Sequence, residues 1–320
     1  MRFTTRQLIE SVRQQVMEAN STRVSTDQIL SAINRGYDDA NDMLCRLYPD
    51  PLIDYYEAYP DENGQVEIIE TAFQDRVQEV EFYPNGGDNY RSRIPETDDV
   101  SAHGLYNNVR GGYPSLYSII GRNIQLAPVN IQKTLIRVWY IKTPLPLVVD
   151  QGRLQIIDRD NNYIVVDNLN TTDAETPISA TDPYGKYVNI TDATTGKIKC
   201  TMQIESIDDN QLVFKTNPTR TTVFNLPVVG VIPDSVSEDD VISSVGGLGV
   251  LFFNRPLANY LIQYAVNEVQ RSLGVSNLSF EESKLRELKK TVEGTWKRRP
   301  NARYKRQYGK VWRNVPWTNW

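Results

Sequence analysis

The chain has 320 residues, 40% of them hydrophobic and 23% charged, which is enough for one large or two ordinary domains with real cores; 17 Pro and 18 Gly supply turns without pointing to disorder. No segment reaches the ~20 apolar residues of a membrane span, and the opening Met1-Arg-Phe-Thr-Thr-Arg-Gln7 lacks the apolar core of a secretory signal, so synthesis in the cytoplasm is expected. The net charge of −5 divides unevenly: eight Lys or Arg and no acid lie between Lys297 and Arg313, leaving 27 basic against 40 acidic residues elsewhere, a body of −13 that argues against gripping DNA over the main surface.

In chain order, Thr4 or Thr5 can cap a helix whose apolar positions are Leu8, Ile9, Val12, Val16 and Ala19, with Asn20-Ser-Thr as its stop. Ser25 and Gln28 form a capping box before a second helix carrying Ile29, Ile33, Tyr37, Ala40, Leu44 and Leu47 on one face, closed by Tyr48-Pro-Asp-Pro51. From about residue 54 to 250 the sequence reads as strands. Residues 66–69, 77–82, 118–120 and 134–141 are rich in β-branched and aromatic side chains. Pro144-Leu-Pro146 opens a second β region, in which 154–157 and 163–166 flank a turn at 158–162. A similar hairpin, 202–205 and 211–214, makes at best a weak internal repeat. Residues 168–184, the Gly-rich 243–249 and the long stretch 83–114 read as loops.

Asn254-Arg-Pro256 then starts a third helix with Leu257, Leu261, Tyr264, Ala265, Val269 and Leu273 on its stripe, ended by Gly274. Ser279 with Glu282 signals a fourth, carrying Leu285, Leu288, Val292 and Trp296 until Pro300. Neither helix pair can hide its stripe alone. The expected fold is therefore α+β: a helical bundle formed by the N- and C-terminal helix pairs, a large antiparallel β insertion of sandwich or barrel kind, and an extended C-terminal arm. The expected divisions are 1–53, 54–250 with a break near 146, 251–299 and 300–320.

Chemistry-bearing motifs are sparse. The single histidine, His103, sits in a polar loop without the company a triad or a His-rich metal site requires. Cys45 and Cys200 are too few for a disulfide framework and too isolated for a thiolate site, and read as small core residues. Asp158, Asp160 and Asn162 mimic the first half of a calcium loop, but Tyr163 and Leu169 occupy the positions that need glycine and glutamate, so a hairpin turn is the better account. Gly196-Lys197 lacks the spacing of a phosphate loop and Gly246-Gly-Leu-Gly249 that of a dinucleotide fingerprint. The acid pairs Asp98-Asp99 and Asp208-Asp209 and the run Glu238-Asp239-Asp240 lie in polar, turn-like sequence; a two-carboxylate hydrolase stays open only because its separation is spatial. No catalytic residue, cofactor or metal is expected.

The remaining specific signal is the C-terminal segment. Lys297, Arg298, Arg299, Arg303, Lys305, Arg306, Lys310 and Arg313 are interleaved with Tyr304, Tyr308 and Trp312 and followed by Trp317 and Trp320. A solvated, partly disordered terminus is one reading, but disordered segments are depleted in aromatics, and aromatics with arginine are the residues that anchor interfaces. Nucleic acid is a rival partner, since bases stack on Tyr and Trp while Lys and Arg hold phosphates.

The helical ends, about a third of the chain, carry a family likeness. Arg6-Gln-Leu-Ile-Glu10, Ile29-Leu-Ser-Ala-Ile-Asn-Arg-Gly-Tyr-Asp-Asp-Ala-Asn41, the helix from Leu257 to Val269 and Glu281-Glu-Ser-Lys-Leu-Arg-Glu-Leu-Lys-Lys290 resemble the head-to-tail connector, or adaptor, proteins of tailed, especially short-tailed, bacteriophages. The resemblance implies a structural, non-enzymatic virion protein of the neck. It implies a homo-oligomeric ring, usually of twelve copies, through which genomic DNA passes without sequence-specific binding, and no membrane. A downstream tail or nozzle protein lies below, and a C-terminal arm, here the thirteen basic and aromatic residues just named, docks the portal protein. An acidic channel suits that role, because positive walls would hold phosphate. The large β region departs from the smallest family members. Alternatives are a tail-associated carbohydrate-binding or hydrolysing protein built on the β region, and a DNA-binding accessory protein using the basic tail.

Overall fold

The computed structural model describes residues 3–16, 24–47, 52–70, 72–83, 92–97, 113–128, 134–167, 169, 178–181, 185–224, 226–251, 255–275 and 278–297. His103, the Asp98-Asp99 pair, the stops at residues 20–22 and 48–51, and Asn254 lie outside them. The chain divides into two compact units, one formed by 1–47 with 145–320 and the other by 48–144.

The first unit holds helices α1 (Thr5–Val16), α2 (Thr26–Leu47), α3 (Arg255–Ser272) and α4 (Ser279–Lys297). Its strands are β8 (Asp150–Asp158), β9 (Tyr163–Val166), β10 (Tyr187–Thr191), β11 (Ile198–Asp208), β12 (Gln211–Phe214), β13 (Thr222–Val223), β14 (Leu226–Val229) and β15 (Val241–Ser244). They form one sheet in the order β10-β15-β8-β9-β12-β11-β14-β13. An additional antiparallel pairing of β10 with β11 closes six of the strands on themselves. All six pairings around that circuit are antiparallel, so the sheet is a small closed barrel with β14 and β13 appended to β11. Leu154, Ile164, Val188, Ile190, Met202, Ile204, Leu212, Phe214 and Ile242, each at most 1% exposed, pack with one another in its core. Side chains fill a barrel of this size, leaving no channel.

These observations overturn the expected α+β architecture. Among the described residues strand exceeds helix, 38% against 30%, and the largest element is the eight-stranded sheet; no bundle of N- and C-terminal helix pairs organises the chain. A 3/4 apolar stripe reports that a helix buries one face, but not on what. Here the helices belong to the barrel's unit and are tied to its backbone. Thr4 bridges Val250, Thr5 N–H donates to Gly249 O at 2.9 Å, and Leu251 N–H donates to Phe3 O at 3.0 Å. Arg6 N–H donates to Asp150 Oδ1 at 2.8 Å, and the Asn34 amide both donates to Leu147 O and accepts from Leu147 N, each at 2.9 Å. α3 is the most enclosed helix, with Leu257, Ala258, Leu261 and Ala265 at 0% exposure and neighbours on α1, α2 and α4. Gly36 of α2 permits one such approach: a Cβ there would lie 3.0 Å from the Tyr264 ring.

Local signals were partly displaced. The capping residue of α1 is Thr4, whose Oγ1 accepts from Gln7 N while Gln7 Oε1 accepts from Thr4 N, and Ser25 with Gln28 makes the same box for α2. At α4 the cap position is Leu278, whose carbonyl accepts from Glu282 N, and the Glu282 carboxylate is taken by Arg271. The Gly-rich 243–249 is only half loop. Ser243 and Ser244 belong to β15, and the backbone beyond them packs too closely for a side chain at Gly247, where a Cβ would stand 2.2 Å from Val148 Cγ1.

The second unit is a sandwich of two sheets. β1 (Ile53–Ala58), β7 (Leu135–Lys142), β3 (Ala72–Tyr83) and β4 (Ser92–Ile94) form a four-stranded sheet in the order β1-β7-β3-β4. β2 (Gln65–Glu67), β6 (Asn123–Ala127) and β5 (Leu116–Ile120) form a three-stranded one in the order β2-β6-β5. Val66, Ile68, Ile124 and Leu126 meet Val80, Ile94, Ile136 and Val138 in its core. Residues 135–142 show why that strand was the clearest in the sequence: Ile136, Val138 and Tyr140 enter the core while Arg137 and Trp139 alternate onto the other face.

Candidate functional site

Of the predicted arm, Lys297 is the last residue of α4, and its side chain lies outside the described residues. So do Arg298, Arg299, Arg303, Tyr304, Lys305, Arg306, Tyr308, Lys310, Trp312, Arg313, Trp317 and Trp320. The described part fixes how the segment is launched. Among the described side chains of α4 only Val292 is buried, whereas Leu285 and Leu288 are half-buried and Phe280 is 75% exposed. The rest of its attachment is polar. Lys289 Nζ reaches both oxygens of Asp39 at 2.9 and 3.2 Å, and Tyr260 Oη donates to Asp39 Oδ2 at 2.5 Å. Gln263 donates to Glu281 Oε2 at 2.6 Å, and Arg271 ties Glu282 of α4 to Glu268 of α3 at 2.8 and 2.9 Å. Burial pushes the Asp39 carboxyl up, but the Tyr260 and Lys289 hydrogen bonds, with the charges of Lys289 and Arg46, outweigh it and hold the group below the ordinary carboxylate value. Ion pairs this exposed contribute roughly 0–1 kcal/mol each, so the polar part of this attachment is a set of weak, salt-sensitive contacts.

The outer face of the four-stranded sheet carries a second constellation. The strand registers set Glu57, Arg137, Glu81 and Arg93 directly across from one another on β1, β7, β3 and β4, an alternation of charge spanning the whole sheet. Arg137 is 8% exposed. Its Nε donates to Glu57 Oε1 at 2.9 Å and a second guanidinium nitrogen donates to the same oxygen. Its carbon stands 4.3 Å from the centre of the Tyr55 ring, 5.0 Å from Tyr83 and 6.0 Å from Trp139. Trp139 Nε1 donates to Glu81 Oε2 at 2.9 Å, its ring lies 5.0 Å from Tyr55, and Arg93 pairs with Glu79 at 3.4 Å. Burial raises the Glu79 carboxyl, with Arg93 opposing and Glu81 reinforcing. Every carboxylate of the face is thus committed to a cation or an indole, an arrangement that rigidifies a surface and leaves no paired acid and base free for proton transfer. This cluster was missed in the sequence. The period-two placement of Arg137 and Trp139 in an otherwise apolar strand was the signal available.

The other motifs resolve as structure. Asp158 Oδ1 accepts from Asn161 N at 2.9 Å, closing the hairpin between β8 and β9. Asn162, at φ 54°, turns inward to donate to Phe214 O and Gly230 O and to accept from Ile232 N. Asp240 belongs to a buried ion pair, with Lys199 Nζ at 2.8 Å and Ser237 N–H also donating to it. Cys45 and Cys200 are both buried, and burial pushes the Cys200 thiol up to about 12. Among the described residues no group of three or more His, Cys, Asp or Glu could hold a metal ion, and no helix is long and apolar enough to cross a membrane. No family model matches the chain, and no curated protein matches it in sequence.

Proposed function

We propose that this chain is a structural adaptor of a tailed bacteriophage virion: a ring-forming neck protein that joins the portal to the tail, surrounds the DNA path and docks the portal through its C-terminal segment. The observation that carries the reading is the partition of charge and aromatics. A body of −13 is followed, from the end of α4, by eight cations and five aromatic side chains within residues 297–320. Acidic walls let DNA slide, and a cationic aromatic strap supplies the residue types that hold interfaces. The polar mooring of α4 supports it further. A helix whose described attachment includes several exposed ion pairs around one buried side chain can adjust to a partner at small cost. The family likeness of the helical ends supplies the portal and the ring.

Electron microscopy of the purified chain, alone and mixed with portal rings, tests this. Rings that bind portal in the full chain, and loss of that binding on deleting residues 297–320 with the fold retained, are the expected result. Portal binding by the deleted chain at full strength, or a chain that stays monomeric beside portal, contradicts it.

A further inference from the structure

Closure removes strand edges from the six strands of the barrel, but among the described residues the second unit leaves two edges open on the same side. Among the described residues β1 pairs only with β7 and ends its sheet, and β2 pairs only with β6 and ends the other. Between them lies a cleft of about 700 Å³, within the roughly 300–1,000 Å³ of ordinary binding pockets. Its walls include Tyr56, Glu57, Tyr59, Asp61 and Glu67, and no Lys or Arg. Tyr56 Oη donates to Glu67 O at 2.8 Å, joining the two edges across it. No residue of β1 is fully buried, and the Tyr55 amide is taken by the adjacent Asp54 carboxylate at 2.9 Å instead of by a strand.

An open edge flanked by acids selects its partner by charge. Asp54 and Glu57 are already paired, with Lys142 at 3.6 Å and with Arg137, so the charge that favours a cationic strand here is that of Asp61 and Glu67 in the cleft wall. The chain contains one such strand-length stretch: Arg303-Tyr-Lys-Arg-Gln-Tyr-Gly-Lys-Val-Trp-Arg313 has five cations and no acid. In an extended conformation its Tyr304, Arg306, Tyr308, Lys310 and Trp312 fall on one side, alternating ring and cation. Eleven extended residues span roughly 36 Å and the six of β1 roughly 20 Å, so the stretch covers the edge with length to spare.

We propose that, in the free protein, residues 303–313 of a second copy add as a strand along β1 and seat their aromatic and basic side chains in the β1–β2 cleft. Main-chain hydrogen bonds supply the affinity and the acidic, tyrosine-lined cleft the selectivity. The portal and the second copy then compete for one segment. The inference does not depend on the portal reading, and the test contains no portal, so either can fail alone.

The test is site-directed crosslinking between intact chains. Full-length Glu67→Cys and Tyr308→Cys variants are mixed and mildly oxidised; the native cysteines are buried. Docking raises the local thiol concentration, so the mixed dimer forms at least about tenfold faster than when Glu287→Cys, exposed on α4, replaces Glu67→Cys. Tyr59→Cys, also exposed, serves as an independent second position and gives the same advantage. Raising NaCl to about 0.5 M reduces the rate towards the control. Equal rates at cleft and control positions, or a crosslink within one chain in the Glu67→Cys/Tyr308→Cys double variant that outruns the mixed dimer at high dilution, overturns the proposal.

Discussion

Replacing Arg137 with Met removes the cation on which the outer face of the four-stranded sheet converges while keeping most of its apolar stem. The side chain is 9% exposed, so its contacts with the Tyr55 and Tyr83 rings, at 4.3 and 5.0 Å, sit towards the upper part of the roughly 0.5–2 kcal/mol range for such pairs. The Glu57 hydrogen bonds would be worth about 1.5–3 kcal/mol in a fully buried setting, but the Glu57 side chain is 36% exposed and keeps some hydration when its partner leaves. The net expectation is a loss of about 2–3 kcal/mol in the second unit. Two compact units make a single global transition a poor readout, so hydrogen exchange of peptides covering β1 and β7 is the assay of choice. At about 1.4 kcal/mol per factor of ten, their exchange should accelerate roughly 30- to 150-fold, with the barrel strands unchanged. Arg137→Lys keeps the charge but loses the planar fork and the ring stacking, and should still lose about half as much. Acceleration of less than about threefold in Arg137→Met would refute the reasoning, because the cluster would then be a solvated surface with no structural role.

Two further outcomes concern the first unit. Asn162→Gly keeps the left-handed backbone but loses three hydrogen bonds, two of them buried, for about 2–4 kcal/mol; Asn162→Asp turns two donors into an acceptor facing two carbonyls and should cost more. Denaturant midpoints order the three proteins, and rescue of the Asp variant by calcium would show the turn to be a cation site after all. For Asp39, whose carboxyl is held below its ordinary value of 3.8, the folded state gains stability above that value and loses it as pH falls through the depressed one. Pepsin cleavage within α4 should therefore rise in the wild type only as pH drops below about 4, and Asp39→Asn should show reduced protection already at about pH 5; identical profiles count against the mooring.

How much could be read in the sequence depended on whether a residue's face stayed simple. Leu8, Ile9 and Val12, Ile29, Ile33, Tyr37 and Leu44, and Leu257, Leu261 and Ala265 are all buried where the 3/4 spacing put them. The architecture they join was not legible, since the stripe carries no record of the barrel backbone that Thr5, Arg6 and Asn34 contact from their polar sides. β10 and β15 were missed for a different reason. Both are buried along their whole length, and Asn189, Thr191, Ser243 and Ser244 give them the composition of a loop. Asn189 tolerates burial because Thr201 Oγ1 donates to it and it donates to Gly247 O, partners set by strand register and by a glycine strap that no local window contains. The charge row on β1, β7, β3 and β4 likewise exists only once four distant segments are in register.

The two β bodies differ in the one property that decides where a sheet protein can be extended. In the first unit the circuit β10-β15-β8-β9-β12-β11 satisfies itself, and the pair appended to it ends in the two-residue β13, too short to template a further strand. In the second, among the described residues, the six residues of β1 have no second neighbour and lie beside a cleft whose charge opposes that of the C-terminal segment. A protein with no need to join others has little reason to keep such an edge, because an open strand invites aggregation unless a charge or a cognate partner guards it. Asp54 supplies the guard by occupying the Tyr55 amide, and it is a removable one: a cationic strand can draw off the carboxylate and take the amide in the same step. Asp54→Ala separates these roles. It should raise self-association through unguarded β1 edges while lowering the salt sensitivity of the Glu67→Cys to Tyr308→Cys crosslink, and a variant that changes neither would mean that the edge is closed by something other than charge.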